Sequence, residues 1–344
     1  MLGLRINIRY SLLLLVWILV QSCSNLNAPE QQAEVASLDN ARFLPEPDSV
    51  VEVDQVSSCV NPDQGKLMLK SGDPLVLIVH GCHASAGRFK ALAEVFAFHG
   101  QQAVCFNYDD RVSLEESASQ LYRAVESLSK SLNSPKVSIL GHSQGGLISR
   151  RAFTNELGTG DLATNVSLTT VSAPFNGISA SSHCGSKTLA WLSLGLTQPL
   201  CYMITGAKYK QIPPNSDFIR HPGKLIDQVS THLRIATDEK ESCREYKSGV
   251  CVKDDYVFSL NEQFQTRVDQ HQNLVPVTVK AGHVEIVGDA NTTPDKLIAV
   301  LQQNQILRDT PEARQNALTE LLNKLYLTST DSVSASKKLI SSIE

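Results

Sequence analysis

Residues 136–153 read KVSILGHSQGGLISRRAF, and this stretch decides the fold. Its first five residues form a short apolar run that predicts a buried strand, and GLISRRAF predicts a helix directly after it. Between the two, GHSQG at residues 141–145 matches the pattern G-x-S-x-G. In that pattern a sharp turn from strand to helix lifts the serine above the sheet edge. The stretch therefore predicts Ser143 as a nucleophile.

The residue after the serine has a separate part in this chemistry. The backbone N–H of Gln144 belongs to the first turn of the predicted helix, where amide donors have no partner within the helix. The helix dipole also favours negative charge at this end. Gln144 is therefore predicted to supply one backbone donor to an oxyanion.

The chain around this stretch alternates between strands and helices. Apolar runs predict six strands, at residues 75–79, 102–107, 136–140, 166–171, 232–236 and 275–279. Helical spacing between and after them predicts helices at residues 89–96, 121–132, 144–157 and 294–303. Such repetition predicts an α/β fold with a mainly parallel sheet that is covered by helices on both faces. We assign this domain to residues 51–308, and ligands of such sheets bind at the carboxyl edge.

A histidine and several carboxylates follow the later strands. His283 comes directly after the last predicted strand, and the chain order serine, acid, histidine is that of G-x-S-x-G hydrolases. His283 is therefore predicted to be the general base. The acid should follow the strand at residues 232–236, and Asp238 follows it most closely.

Five stretches together resemble the lipase/esterase branch of the α/β-hydrolase superfamily. They are LVLIVHGCHASAGRF (75–89), GHSQGG (141–146), VSAPFNG (171–177), KDDYVF (253–258) and AGH (281–283). The resemblance implies that Cys82, after the His-Gly pair, gives the second oxyanion amide. It also favours Asp255 as the triad acid, because KDDYVF resembles the segment that carries this acid in many lipases. Asp254 and then Asp238 remain the alternatives.

The activity implied by this resemblance is cleavage of a carboxylic ester, of a lipid or another acyl compound, through a serine acyl-enzyme. No metal or cofactor is implied. An acyltransferase or a thioesterase would use the same triad, and a non-catalytic surface lipoprotein is the alternative from another class. The net charge of −4 and the lack of a basic run argue against nucleic acid as a partner.

The amino terminus predicts export. Arg5 and Arg9 precede the apolar run SLLLLVWILV (11–20), as in a secretory signal. The run is short for a membrane span, which needs about 20 residues. VQSC at residues 20–23 resembles a bacterial lipobox, which would make Cys23 the lipidated first residue of the mature protein. We therefore expect a lipid-anchored protein of the bacterial outer membrane or periplasm. The alternative is a secreted soluble protein.

The remaining segments complete the predicted organisation. Residues 24–50 are polar and irregular, which predicts a flexible tether. Residues 175–222 interrupt the strand–helix alternation and predict a lid, whereas residues 309–344 predict a last helix and a tail. An oxidising compartment favours disulfides. Cys184 with Cys201 and Cys243 with Cys251 are close in sequence, so that one cysteine among residues 59, 82 and 105 stays unpaired.

Overall fold

A seven-stranded sheet forms the centre of the molecule. The computed structural model describes residues 40–59, 66–82, 84–157, 162–181 and 206–327. The sheet has the order β11-β8-β7-β6-β4-β5-β2, in which β2 alone runs antiparallel to its neighbour. Its strands are β2 (Val56–Ser57), β4 (Leu75–Val79), β5 (Gln102–Phe106), β6 (Lys136–His142), β7 (Asn165–Val171), β8 (Val229–Asp238) and β11 (Leu274–Lys280).

Two small antiparallel pairs lie outside this sheet. The first joins β1 (Ser49–Val51) to β3 (Leu67–Leu69), and the second joins β9 (Cys243–Lys247) to β10 (Val250–Asp254). The second pair is a hairpin that follows the carboxyl end of β8 in the chain. It therefore stands at the same sheet edge as the turn that follows β6.

Eight α-helices occur among the described residues. They are α1 (Lys90–Phe98), α2 (Leu114–Leu132), α3 (Gln144–Ala152), α4 (Asp217–Arg220), α5 (Leu260–Gln263), α6 (Thr266–Asp269), α7 (Asp295–Gln303) and α8 (Gln315–Tyr326). Ser113 begins α2 by accepting a hydrogen bond from the backbone of Glu116, which is the usual serine cap. Asn133 ends the same helix in the left-handed conformation.

The sheet separates two hydrophobic cores. In β4, Leu75, Leu77 and Val79 face the core that contains α2 and α3, whereas Val76 and Ile78 face the core that contains α1, α7 and α8. Alternate residues of a strand point to opposite faces. Because both faces are covered, the whole of β4 is buried and apolar.

The six predicted strands and the α/β class with a mainly parallel sheet are confirmed. The sequence missed β1, β2 and β3, which have only two or three residues, and the hairpin, whose strands are largely exposed. The predicted helix at residues 144–157 ends at Ala152. The last helix was expected outside the domain, yet α8 packs Leu318, Leu322 and Leu325 into the second core.

Some predictions concern residues outside the described ones. These are the signal and lipobox with Cys23, residues 24–39 of the tether, residues 182–205 of the lid, and the pair of Cys184 and Cys201. The tether prediction is wrong for residues 40–50, which include a helical turn at Ala41–Phe43 and the start of β1. In the part of the chain that the structure describes, no helix combines the length and the apolar character that crossing a membrane requires.

Candidate active site

Ser143 lies at a strained turn between β6 and α3. Its φ of 57° and ψ of −124° are unusual for a residue with a side chain. The surroundings hold it there, because its N–H donates to the carbonyl of Val171 at 2.8 Å and its own carbonyl accepts from Gly146 at 3.0 Å. The residue is only 7% exposed. The prediction of a tight strand–turn–helix at this position is confirmed.

Close backbone approach explains the glycines of this turn. A Cβ at residue 145 would overlap the carbonyl oxygens of Val79 and His80, at the carboxyl end of β4. A Cβ at residue 141 would lie 2.5 Å from the carbonyl oxygen of Gly145. The first turn of α3 therefore packs directly against two strand ends. This packing brings the loop that follows β4 up to Ser143, whose Cβ would lie 3.0 Å from a Cβ at residue 81.

A buried polar chain holds the loop that follows β4. The hydroxyl of Tyr108 donates to the carbonyl of His80 at 2.8 Å, and its ring stacks on the His80 ring at 4.2 Å. Gln144 donates in turn to the Tyr108 hydroxyl at 3.3 Å. Burial raises the pKa of Tyr108 well above its usual value, so this hydroxyl keeps its proton. Hydrogen bonds of the Tyr108 hydroxyl thus connect the loop after β4, which contains Cys82, to Gln144 at the start of α3. Cys82 and Gln144 are the two predicted oxyanion residues.

His283 lies beside the nucleophile turn. Its ring is 4.7 Å from the ring of His142, the residue before Ser143, and its carbonyl accepts from His142 Nε2 at 3.0 Å. The ring of Phe258 packs perpendicular to the same ring, with the centroids 4.8 Å apart. Since the loop that follows β11 meets the turn that follows β6, the structure brings the predicted base and nucleophile to one edge of the sheet.

The carboxylate at His283 belongs to Glu239, the first residue after β8. Glu239 Oε1 lies 2.9 Å from His283 Nδ1 and also accepts from Thr237 Oγ1 at 2.9 Å. Its other oxygen accepts the backbone N–H groups of Val257 at 2.6 Å and Phe258 at 2.8 Å. The residue is 1% exposed, and these four donors compensate the burial of its charge.

This contact fixes the tautomer of the histidine. A carboxylate is an acceptor only, so Nδ1 of His283 must carry the proton that it donates to Glu239. Nε2 of the neutral ring is then unprotonated. The arrangement therefore leaves one basic nitrogen to take a proton from a neighbouring group.

The prediction that Asp255 orients His283 is wrong in this structure. The Asp255 carboxylate accepts from the backbone N–H groups of Val284 at 3.0 Å and Glu285 at 2.8 Å. Its backbone carbonyl accepts from the N–H of His283 at 3.0 Å. Burial raises the pKa of Asp255, although these amide donors oppose the shift. Asp255 therefore holds the main chain of the His283 loop, and another carboxylate reaches the imidazole.

The two alternative acids also lie away from the imidazole. Asp254 is exposed at the end of β10, and Asp238 lies 3.4 Å from Lys280. The missed residue, Glu239, follows Asp238 directly. Its position after β8 was the available signal, because an acid that directly follows the strand meets the expected triad order. The resemblance of KDDYVF to lipase segments favoured Asp255 instead of Glu239 as the acid.

His80 and His142, the other histidines near the turn, are unsuited to act as bases. Burial, assisted by the neighbouring His283, holds the pKa of His142 well below its usual value. Burial also lowers the pKa of His80, whose Nδ1 lies 2.9 Å from the carbonyl of Gly81. Both therefore serve as hydrogen-bonding groups of the framework. Among the described residues, no group of three or more His, Cys, Asp or Glu side chains is placed to bind a metal ion.

Two disulfides are formed among the described residues. Cys243 and Cys251 close the hairpin of β9 and β10, as predicted, and Cys59 pairs with Cys105. Cys82 is consequently the cysteine that stays free among residues 59, 82 and 105. The β2–β5 register places Ser57 opposite Cys105, which brings Cys59 close to this strand.

Several solved structures of other proteins are similar to this chain. A Bacillus licheniformis lipase, BlEst2, matches with 14% identity over 69% of this chain and 93% of its own, with a TM-score of 0.45. The Pyrococcus furiosus esterase Pf2001 matches with 14% identity over 79% and 93%, with a TM-score of 0.45. A monoacylglycerol lipase of Paleococcus ferrophilus matches with 14% identity over 68% and 95%, with a TM-score of 0.40. A search of curated proteins finds no match.

The family comparison covers most of the candidate site. The family described as lipase (class 2) matches residues 72–282, which is more than half of the chain. The matched stretch begins just before β4 and ends next to His283. It includes the Ser143 turn and Glu239. The chain therefore belongs to the class 2 lipase family, whose members are hydrolases of ester substrates.

Proposed function

We propose that the protein hydrolyses carboxylic esters, of lipids or of other acyl compounds, through an acyl-enzyme on Ser143. His283 acts as the general base, and Glu239 orients it. The observation that carries the proposal is the 2.9 Å contact between His283 Nδ1 and Glu239 Oε1, beside a strained serine turn. The family membership supports an ester substrate.

The geometry supports a two-stage reaction. Ser143 Oγ attacks the carbonyl carbon while His283 Nε2 takes its proton, and the backbone N–H groups of Cys82 and Gln144 bind the oxyanion. The tetrahedral intermediate expels the alcohol, which receives the proton from His283. Water then attacks the acyl-enzyme by the same route and releases the acid. Glu239 stabilises the imidazolium that forms in each stage.

The first experiment measures hydrolysis of nitrophenyl esters from acetate to palmitate by the full chain. Ser143→Ala should abolish turnover. Ser149→Ala is the matched control, since Ser149 lies in α3, which follows the Ser143 turn, and its hydroxyl makes no hydrogen bond among the described residues. A fluorophosphonate should add to the wild type and to Ser149→Ala, and mass spectrometry should find no adduct on Ser143→Ala.

The same experiment separates the alternatives. Fluorophosphonate labelling without ester turnover would favour an acyltransferase or a thioesterase, which added alcohol acceptors and acyl thioesters would then distinguish. A folded wild type that neither turns over nor reacts would contradict the proposal and favour a non-catalytic lipoprotein. The dependence on chain length would distinguish an esterase from a lipase.

We also propose that the protein is exported and anchored to a bacterial membrane through a lipid on Cys23. The signal-like residues 1–20 and the lipobox-like VQSC support this, and two disulfides suit an oxidising compartment. Mass spectrometry of the amino-terminal peptide should find a lipid on Cys23, and Cys23→Ala should move the protein to the soluble fraction. An unmodified, soluble wild type would favour simple secretion.

A further inference from the structure

Lys208 is a buried lysine that the proposed reaction does not use. Its side chain is 1% exposed, which is rare for a lysine because its amine loses contact with water. The amine lies 3.2 Å from Cys82 Sγ and 3.4 Å from Asp110 Oδ2. The shorter contact is to the sulfur of Cys82, whose backbone N–H is proposed to bind the oxyanion.

The backbone around Lys208 is firmly attached to the domain. Residues Gly206–Lys210 form a single helical turn, in which Ala207 donates to the carbonyl of Arg111 at 2.7 Å. The Gln211 side chain accepts from the N–H of Leu114 at 2.6 Å. Gly206 has a φ of +71°, and a Cβ there would overlap the backbone of Arg111. The backbone from which the Lys208 side chain extends is therefore held against residues 111–114.

The loop with Cys82 is held on its two sides by different groups. Tyr108 holds the carbonyl of His80 on the strand side, as described above. On the other side, the sulfur of Cys82 accepts a hydrogen bond from Lys208. An oxyanion donor must be held close to its ideal place, since loss of one such donor costs about 10²–10³-fold in kcat.

We propose that Lys208 is a positioning residue, which holds the Cys82 loop so that its amide points at the oxyanion. The inference rests on the proposed function, and it concerns a residue remote in sequence from all parts of the triad. The Lys208 hydrogen bond to Cys82 Sγ and its ion pair with Asp110 together join the turn at residues 206–210 to the loop after β4. Loss of this link should impair the transition state more than the binding of substrate.

The test compares Lys208→Met with Lys210→Met, which changes an exposed lysine of the same turn. Active sites are first titrated with a fluorophosphonate, so that kcat refers to competent molecules. We expect Lys208→Met to lower kcat by about 10- to 100-fold with KM changed less than about threefold. An alkyl boronic acid, whose adduct mimics the tetrahedral intermediate, should bind more weakly by a similar factor. Lys210→Met should match the wild type.

Two further variants show whether Lys208 acts through Cys82. Lys208→Arg keeps a donor and should recover part of kcat. If the two residues act as one unit, Cys82→Ala combined with Lys208→Met should lower kcat no further than the worse single change. A merely structural lysine would instead lower the melting temperature and the titrated fraction, with kcat per active site unchanged.

The outcomes distinguish this inference from the proposed function. An active wild type with Lys208→Met within twofold of it in kcat per site and in boronate affinity would overturn the role of Lys208 alone. Effects of Cys82→Ala and Lys208→Met that multiply in the double variant would also overturn it. A wild type that neither turns over esters nor reacts with fluorophosphonate would overturn both.

Discussion

Glu239 lies 2.9 Å from Nδ1 of His283, and the backbone of residues 257–258 holds its other oxygen. Asp255, sixteen positions further along the chain, binds the main chain of the same histidine loop. Two buried carboxylates thus serve one histidine in different ways. One sets its tautomer, whereas the other sets the path of its backbone.

The first prediction separates these two carboxylates. Glu239→Gln should lower kcat by about 10³–10⁴-fold with little change in KM, because the amide can hold the imidazole in the wrong tautomer. Asp255→Asn should lower the free energy of unfolding by about 1–3 kcal/mol, since an amide nitrogen would face the N–H groups of residues 284–285. Ester kinetics and urea unfolding measure the two effects.

Asp238→Asn is the control for this pair of variants. Asp238 precedes Glu239 and makes a partly exposed ion pair with Lys280, a kind of pair that contributes little. Its kinetics and stability should resemble the wild type. If Asp255→Asn removed activity and Glu239→Gln kept it, the assignment of the acid would be reversed.

The second prediction concerns the dependence of stability on pH. Burial lowers the pKa of His80, and it holds those of His142 and His232 well below the usual value. Below about pH 6.5 the unfolded chain therefore binds more protons than the folded one. Stability should fall as the pH decreases from about 6.5, by up to about 1.4 kcal/mol per pH unit for each histidine.

Urea unfolding between pH 5 and 8 measures this slope. His232→Gln removes one of the histidines with a lowered pKa at a site remote from Ser143, where the ring forms a hydrogen bond with Thr170 at 3.0 Å. As the pH falls below about 6.5, the free energy of unfolding of this variant should decrease less steeply than that of the wild type. An unchanged slope would show that His232 does not resist protonation in the folded state.

The third prediction contrasts the two disulfides. Cys59 and Cys105 are 46 residues apart, so replacing both by alanine should cost about 4 kcal/mol of stability by loop entropy. Cys243 and Cys251 are 8 residues apart, and replacing both should cost about 2–3 kcal/mol. Only the second pair closes the hairpin that runs directly into residues 255–258, which hold Glu239.

Activity should therefore respond differently from stability. Under conditions where each variant is folded, the Cys243/Cys251 variant should lose kcat, whereas the Cys59/Cys105 variant should keep it. Titrated active sites and denaturant melts provide the comparison. Equal kcat values in the two variants would show that the hairpin does not help to hold Glu239.

The fourth prediction concerns Gly145. Gly145→Ala places a methyl group on the carbonyl oxygens of Val79 and His80, which belong to a buried strand end and cannot move away. We expect the free energy of unfolding to fall by several kcal/mol, in the upper range of overpacking costs, and we expect little soluble protein. Gly249→Ala is the control, since no atom lies within 4 Å of its Cβ and only its φ of +78° opposes the change. Comparable melting temperatures for the two variants would contradict this account of the turn.

The sequence by itself determined the local features of this protein. The period of apolar residues predicted all six parallel strands, because each strand must bury both faces. The glycines around Ser143 predicted the turn, since no other residue fits so close to neighbouring strand ends. The position of His283 after the last strand followed from the same alternation, and the structure brings it beside that turn.

Only the tertiary structure decided which distant groups meet. Glu239 rather than Asp255 reaches the imidazole because the chain after the hairpin folds back and presents backbone N–H groups to Glu239. Cys59 pairs with Cys105 because a two-residue edge strand lies against β5. Lys208 meets Cys82 across 126 positions of chain. The period of apolar residues depends on neighbours along the chain. These contacts depend instead on the paths of loops, and those paths are determined by side chains many residues away.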